Sequence, residues 1–392
     1  MRVGLICPYS LSVNGGVQAQ VLGLARTLRV QGVEARVLAP CDGPPPETWV
    51  SPLGHSIPTA ANGSMAPLAP DPAAALRTIK ALRDEAFDVI HIHEPLVPGA
   101  SLTSLLFAHQ PMVGTFHRSG AIGGGFATVR SLSTWAVDHL AVRCAVSADA
   151  AATAQAEVGG SYERVWNGIE VDLYEKTAPW PRPDGKVIFF VGRHEQRKGL
   201  GVLIEAIKDL DDDVRLWVAG HGPQTAALKA ATAGDPRIEW LGSVGESEKR
   251  ARMLAADVFC APSLAGESFG IVLLEAMAGR TVVVASDLPG YRNVARDGKE
   301  AALAPIGDPK GLAAVIRKVL SDGAMRHALI SGGLERAAHF SMSRLASTYV
   351  EYYKRAADTP LPKAVLQAEA TAGRRLLTAP SRALRGRQRV SW

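Results

Sequence analysis

The sequence predicts an α/β protein with two doubly wound parallel sheets. Three observations carry that expectation. Apolar runs of strand length alternate with segments of helical spacing along residues 1–167. The alternation restarts after Pro181-Arg182-Pro183-Asp184-Gly185, a linker-like stretch. Glycines also sit just past the first strand of each half, where open parallel sheets gather ligands at the strands' carboxyl ends. At 392 residues the chain is long enough for two domains, each with its own core.

The elements follow in order. Residues 1–7 read as a strand, Asn14-Gly15-Gly16 as a turn, and 17–30 as a helix through Val21, Leu24, Ala25 and Leu28. Gly32 closes that helix and 34–39 is the next strand. The Pro/Ala-rich stretch 44–75 reads as loops. A helix near 71–86 turns Leu76, Ile79 and Leu82 to the core and leaves Arg77, Lys80 and Arg83 outward. Further strands are expected at 87–91, 112–116 and 139–146, closing an N-terminal domain at 167. A second domain, 168–340, carries strands at 186–191, 214–219, 238–241, 258–261 and 281–285. Residues 341–357 form an amphipathic helix with Leu345, Tyr349, Tyr352 and Tyr353 near one face, and 361–392 are a basic tail.

Composition narrows the function. The charge of +5 is uneven: the tail holds seven Lys/Arg against one Glu, leaving the remaining residues at −1. The body gives no reason to expect nucleic acid, whereas the tail suits an anionic membrane surface. Its bland alternative is a disordered, solubilising extension. Cys7, Cys41, Cys144 and Cys260 are scattered, as expected of small buried side chains in a reducing compartment. No apolar run reaches spanning length, so the expected location is cytoplasmic. Oligomeric state is not legible.

The richest motif is Gly266-Glu267-Ser268-Phe269-Gly270-Ile271-Val272-Leu273-Leu274-Glu275. Gly266 and Gly270 suit a tight turn, and 272–278 reads as a buried helix. The turn then delivers Glu267 and the N–H groups of 269–271 to a helix N-terminus, a natural phosphate seat. Glu275 lies about two turns further in, where a carboxylate needs hydroxyl or cationic partners. Gly15-Gly16 lets backbone approach a diphosphate closely, although most such pairs are plain turns. In Gly192-Arg193-His194-Glu195-Gln196-Arg197-Lys198-Gly199, three cations at a strand-to-helix junction suit a diphosphate. His117 ends a strand and projects toward the presumed cleft, or is a hydrogen-bonded core histidine. His91 and His93 share a face, and structural hydrogen bonding is preferred over a metal site. Asp211-Asp212-Asp213 precedes a strand and reads as a polar turn.

Together these blocks resemble the retaining, nucleotide-sugar-dependent glycosyltransferases of two Rossmann-like domains, the GT-B architecture. Cys7-Pro8-Tyr9-Ser10, Gly15-Gly16-Val17-Gln18, His91-Ile92-His93-Glu94-Pro95 and Thr115-Phe116-His117 are similar to blocks of the phosphatidylinositol mannosyltransferases. The resemblance implies that the terminal helix, 341–360, crosses back to the first domain. It also implies a donor, GDP-mannose, between the domains. Its diphosphate falls to Gly15, Gly16, Arg193 and Lys198, its base to Val244 and Lys249, and its ribose to Glu275. Glu267 takes the hexose hydroxyls, and Phe269, Gly270, Ile271 and Val272 line the donor turn. His117 contacts the transferred hexose, so His117, Glu267, Arg193 and Lys198 form the catalytic set. Arg197 is less firmly carried, because its segment is one residue shorter here than in relatives. No metal and no cofactor beyond the nucleotide sugar are implied, since Arg, Lys and helix N-termini neutralise the leaving diphosphate.

The acceptor side implied is Tyr9, Gln18, Asn62, Ser64, His117 and Arg118, facing a phosphatidylinositol-type lipid at the inner face of the membrane. Here the sequence departs from the family. Pro67 and Ala69 stand where two arginines are expected, Leu96 where an asparagine is, and the lysine downstream of Thr-Phe-His is missing. Arg118 offers a compensating guanidinium fork. The glycine-rich 120–125 segment suits an acceptor loop or a plain linker. A different acceptor, a sugar-nucleotide epimerase of the same architecture, or a silent binding protein are the competing readings.

Overall fold

The computed structural model describes residues 1–13, 15–61, 64–118, 130–267 and 269–359. The first half opens with β1 (Arg2–Ile6), α1 (Gly16–Val30) and β2 (Glu34–Ala39), close to the limits that the apolar runs mark. Then come β3 (Val50–Pro52), β4 (Ile57–Ala61), β5 (Ser64–Leu68) and α2 (Pro72–Asp84). This corrects the expectation of loops over 44–75. β4 and β5 form an antiparallel hairpin, with Ile57 opposite Leu68. Ile57 and Met65 stand 56% and 59% exposed while Leu68 is buried, so the apolar residues of the hairpin print no regular alternation. A second correction lies in α2, where Leu82 is buried but Leu76 is 68% exposed.

The half continues with β6 (Val89–His93), α3 (Ala100–Phe107), β7 (Met112–Phe116), α4 (Arg130–Val137), β8 (Leu140–Ala145), α5 (Ala148–Val158) and β9 (Glu163–Arg164). β6 starts two residues later than the run at 87–91 suggests. Its frame is set by pairing with β1 and β7, which draws both histidines into the strand. The sheet runs β3-β2-β1-β6-β7-β8-β9, parallel throughout. Its connections reverse direction beside β1, opening a crevice at the carboxyl ends of β1 and β6.

The second half holds α6 (Val171–Glu175), β10 (Lys186–Val191), α7 (Leu200–Ile207), β11 (Val214–Ala219), α8 (Thr225–Ala231) and β12 (Ile238–Gly242). It goes on with α9 (Glu246–Ala255), β13 (Val258–Ala261), α10 (Ile271–Ala278), β14 (Val282–Ser286), α11 (Pro289–Arg292) and β15 (Ala302–Ala304). Helices α12 (Pro309–Ser321) and α13 (Gly323–His339) lead to α14 (Met342–Asp358). Its parallel sheet runs β12-β11-β10-β13-β14-β15, with the reversal beside β10. Strands buried on both faces explain the near-continuous apolar runs that made both sheets legible.

α14 does cross back. Ile169 N donates to Phe340 O at 2.9 Å and Met342 N to Ile169 O at 2.7 Å, so the two inter-half segments pair edge to edge. Beyond them Leu345, Ala346, Tyr349, Tyr353 and Ala356 join Val3, Leu5, Val21 and Leu24 in one core. The tyrosine hydroxyls end in polar partners: Tyr353 reaches His91 Nδ1 at 2.8 Å and Tyr349 reaches Thr115 Oγ1 at 2.9 Å. His91 Nε2 closes the network on Thr115 Oγ1 at 2.8 Å. All four cysteines are buried and free.

Candidate functional site

The cations of 193–198 are placed by a glycine staple. Gly199 sits at φ 68°, and a Cβ there would lie 1.9 Å from Pro262 O, so only glycine lets the two loops touch. Leu264 N donates to Arg197 O at 2.7 Å across the same junction. Lys198 Nζ thereby meets Glu267 Oε1 at 2.6 Å. Ser263 Oγ donates to that oxygen at 3.0 Å and shares a 2.9 Å hydrogen bond with the Tyr291 hydroxyl. Arg197 lies 3.8 Å from Glu267 and 2.9 Å from Glu195, while Arg193 bonds Glu195 at 2.7 Å. Three cations thus share two carboxylates, a cluster with charge to spare for an anion.

At the start of α10, Gly266 and Gly270 take φ 76° and 86°, the left-handed turn expected of them. The Phe269 ring packs edge-on against Phe340 and is buried, which leaves its backbone N–H, the group the turn is expected to present, as what it can offer a ligand. Ile271, Val272 and Val244 are half-buried against the second core. Glu275 finds a cationic partner in Lys249, whose Nζ lies 2.9 Å away and also 2.8 Å from Glu246. Burial pulls the Lys249 pKa down, but the two carboxylates outweigh it and the ammonium is held charged. Asp211-Asp212-Asp213 lies in the turn ahead of β11, with Val214 N donating to Asp211 O.

A cavity of about 630 Å³ takes walls from both halves, among them Gly15, Gly16, Gln18, Lys249, Ile271 and Glu275. Arg193, Lys198 and Glu267 are not among its walls. Gln18, expected on the acceptor side, lines this cavity, donates to Ser10 O and Val13 O at 3.4 and 3.2 Å and folds over Gly15. The inter-half segment forms the floor. Gln20 exchanges two hydrogen bonds with Gly168, at 2.9 and 2.7 Å, and Arg26 grips Glu170 at 3.0 and 2.7 Å.

On the acceptor side, His117 Nε2 lies 2.9 Å from His93 Nδ1, and its backbone N–H donates to Glu94 Oε1 at 2.7 Å. Burial pushes the His117 pKa down to about 4, with a contact to Asn167 working the other way. His91 falls to about 3, by burial and then by repulsion from His117. All are neutral imidazoles near pH 7, and His91 is a structural hydrogen-bonder. Tyr9 bridges its backbone to Leu68. Arg118, an expected acceptor residue, donates from one guanidinium nitrogen to both Glu157 carboxylate oxygens, at 2.5 and 2.7 Å. Asn62, the Ser64 side chain, the 120–125 segment and the 361–392 tail lie outside the described residues.

Three residues with no assigned role join the site. Glu94 is buried at φ 50°, a strained backbone for a non-glycine, and desolvation raises its carboxyl pKa. Its place between His93 and Pro95 was the available signal. Asn167 opens the block Asn167-Gly168-Ile169-Glu170-Val171-Asp172, similar to a hinge block of the family, whereas Ser263 gave no signal beyond adjacency to a motif.

Two parallel sheets meeting at their carboxyl edges, with a Glu-x7-Glu helix on one and a glycine turn on the other, define a GT-B glycosyltransferase. The comparisons agree. Residues 175–336 match the family described as Glycosyl transferases group 1, and residues 14–173 match Glycosyltransferase Family 4. A glycosyltransferase structure from Rickettsia africae superposes with a TM-score of 0.70 at 15% identity, covering 92% of this chain and 99% of that one, a likeness of fold alone. The phosphatidyl-myo-inositol mannosyltransferase of Mycobacterium leprae is 39% identical over 363 residues, 90% of this chain and 96% of its own length. That of Mycolicibacterium smegmatis is 36% identical over 364 residues, 90% and 94%. The chain belongs to the phosphatidyl-myo-inositol mannosyltransferase family.

Proposed function

We propose that the chain transfers mannose from GDP-mannose, with retention at the anomeric carbon, to the inositol ring of a phosphatidylinositol-type lipid. The observation that carries this reading is the whole-length likeness to relatives bearing that name. The donor lies between the halves, its ribose on Glu275, its base near Val244 and Lys249. Its diphosphate is held by Gly15 and Gly16 amides, the α10 N-terminus, Arg193 and Lys198. Glu267 orients the hexose and His117 contacts it on the acceptor side. The leaving phosphate takes the acceptor proton on the same face, so no protein nucleophile is invoked. Neutralisation by Lys198 and the arginines makes a metal unnecessary.

A second reading keeps the donor chemistry and changes the acceptor. It is favoured by Arg118 being committed to Glu157, with Pro67, Ala69 and Leu96 offering no charge. Radiolabelled transfer decides between them. A panel of sugar nucleotides is offered to vesicles with and without phosphatidylinositol, in the presence of chelator. Label from GDP-mannose alone, dependent on phosphatidylinositol and indifferent to chelator, is the expected result. Equal transfer without phosphatidylinositol favours the second reading, and chelator sensitivity overturns the metal-free assignment.

A further inference from the structure

The proton between two imidazoles in the first half can be assigned. His93 is 2% exposed, and its Nδ1 faces His117 Nε2 at 2.9 Å. His93 Nε2 has no hydrogen-bond partner. Burial keeps both rings neutral, so each carries one proton and one of the two donates. If His117 donated from Nε2, the His93 proton would sit on its own Nε2, a buried N–H aimed at nothing. The opposite arrangement leaves only a lone pair unpaired there, which costs less and is more often tolerated. His93 therefore donates from Nδ1, and the single proton of His117 is on Nδ1. The other neighbour of the ring agrees with this. Asn167, in contact with His117, has a buried Oδ1 without a well-formed hydrogen bond, an acceptor suited to receive an N–H.

We propose that His93 is a positioning residue: it holds His117 in the Nδ1–H tautomer, so that the proton offered to a sugar hydroxyl is on Nδ1 and rests toward Asn167 when no sugar is bound. This deepens the reading of His117 as the hexose contact and rests on it. The backbone supports the same geometry. His93 pairs in register with Thr115 across β6 and β7, and the Glu94 carboxylate fixes the His117 N–H.

Nitrogen-15 NMR of histidine-labelled full-length protein near neutral pH reads the tautomer directly, with His117→Gln assigning the signal. A protonated Nδ1 and a bare Nε2 on His117 are expected, and the reverse pattern overturns the proposal without any further variant. His93→Leu should turn the His117 signal into a tautomer mixture and lower kcat about tenfold, with the KM for GDP-mannose nearly unchanged. His93→Asn carries an amide N–H near the Nδ1 position and should restore the single tautomer and most of the turnover. An unchanged tautomer and kcat in His93→Leu would sink the positioning role. A chain that moved no mannose yet kept the Nδ1–H tautomer would defeat the mannosyltransfer reading and leave the proton assignment standing.

Discussion

Lys198 and Glu267, 2.6 Å apart, neutralise each other until a stronger anion arrives. In the proposed donor pose a diphosphate, which carries more charge than one carboxylate, would draw the ammonium away and free Glu267 for hydroxyls. The two residues therefore respond differently to substitution. Lys198→Ala removes a charge-assisted contact and should weaken nucleoside diphosphate binding about ten- to a hundredfold, from roughly 1.5–3 kcal/mol. Glu267→Gln should leave that affinity intact or slightly raised while transfer falls steeply. Calorimetric titration checks both, and equal losses in the two variants would move Glu267 to the nucleotide. The histidines set a pH limit. His91 and His117 are held near 3 and 4 in the fold, against 6.5 for a free imidazole, so the unfolded chain binds more protons below that value. The histidine contribution to stability should be constant above about pH 6.5 and fall below it, by up to about 1.4 kcal/mol per pH unit for each group. This window precedes protonation of the paired Asp42 and Asp257, whose pKa values are lowered. Glu94 works in the opposite sense, because its raised pKa favours the fold on acidification. Urea midpoints from pH 7 to pH 5 should show the slope, shallower in His117→Gln.

At the scale of elements, the site depends on loops held by single residues. Gly199→Ala drives a Cβ into Pro262 O and must displace the 262–267 loop, separating Lys198 from Glu267. Diphosphate affinity should fall as far as in Lys198→Ala, although no cation is lost. Undisturbed titration would show the loop adapting. The return helix is tied just as locally. Tyr353→Phe keeps the ring in the core but leaves His91 Nδ1 buried without a partner, at a cost of about 1–3 kcal/mol in the urea midpoint. The same scale explains what could be read in advance. β10, β11, β13 and β14 are buried on both faces and announce themselves as apolar runs. β3, β9 and β15 have two or three residues each, too few to show a period. Glu267 and Glu275 were legible by their spacing, whereas the pairing of Lys198 with Glu267 and of Lys249, on α9, with Glu275 is made only through tertiary contact.

On the scale of the whole molecule, the two sheets are joined by paired segments at 169 and 340–342 and by α14, with the 630 Å³ cavity over that junction. Such a transferase must also meet an acceptor anchored in a bilayer, yet no helix among the described residues is long and apolar enough to span one. Two surfaces are proposed for the contact. The tail, outside the described residues, carries seven Lys/Arg beside Leu376, Leu377 and Trp392. Each basic residue near an anionic surface contributes on the order of 1 kcal/mol, screened over about 8 Å at physiological salt. α2 offers the second, with Leu76 exposed on the same helix as Lys80 and Arg83. The two differ in physics, so salt separates them: charge attraction by the tail fades as salt rises, while insertion of Leu76 does not. Sedimentation with phosphatidylinositol vesicles should show deletion of 363–392 lowering binding mainly at low salt. Leu76→Glu should remove the part that survives high salt. If both variants sediment like the full chain at every salt concentration, neither surface is the contact. The hairpin β4–β5, which exposes Ile57 and Met65, then becomes the next apolar edge to substitute.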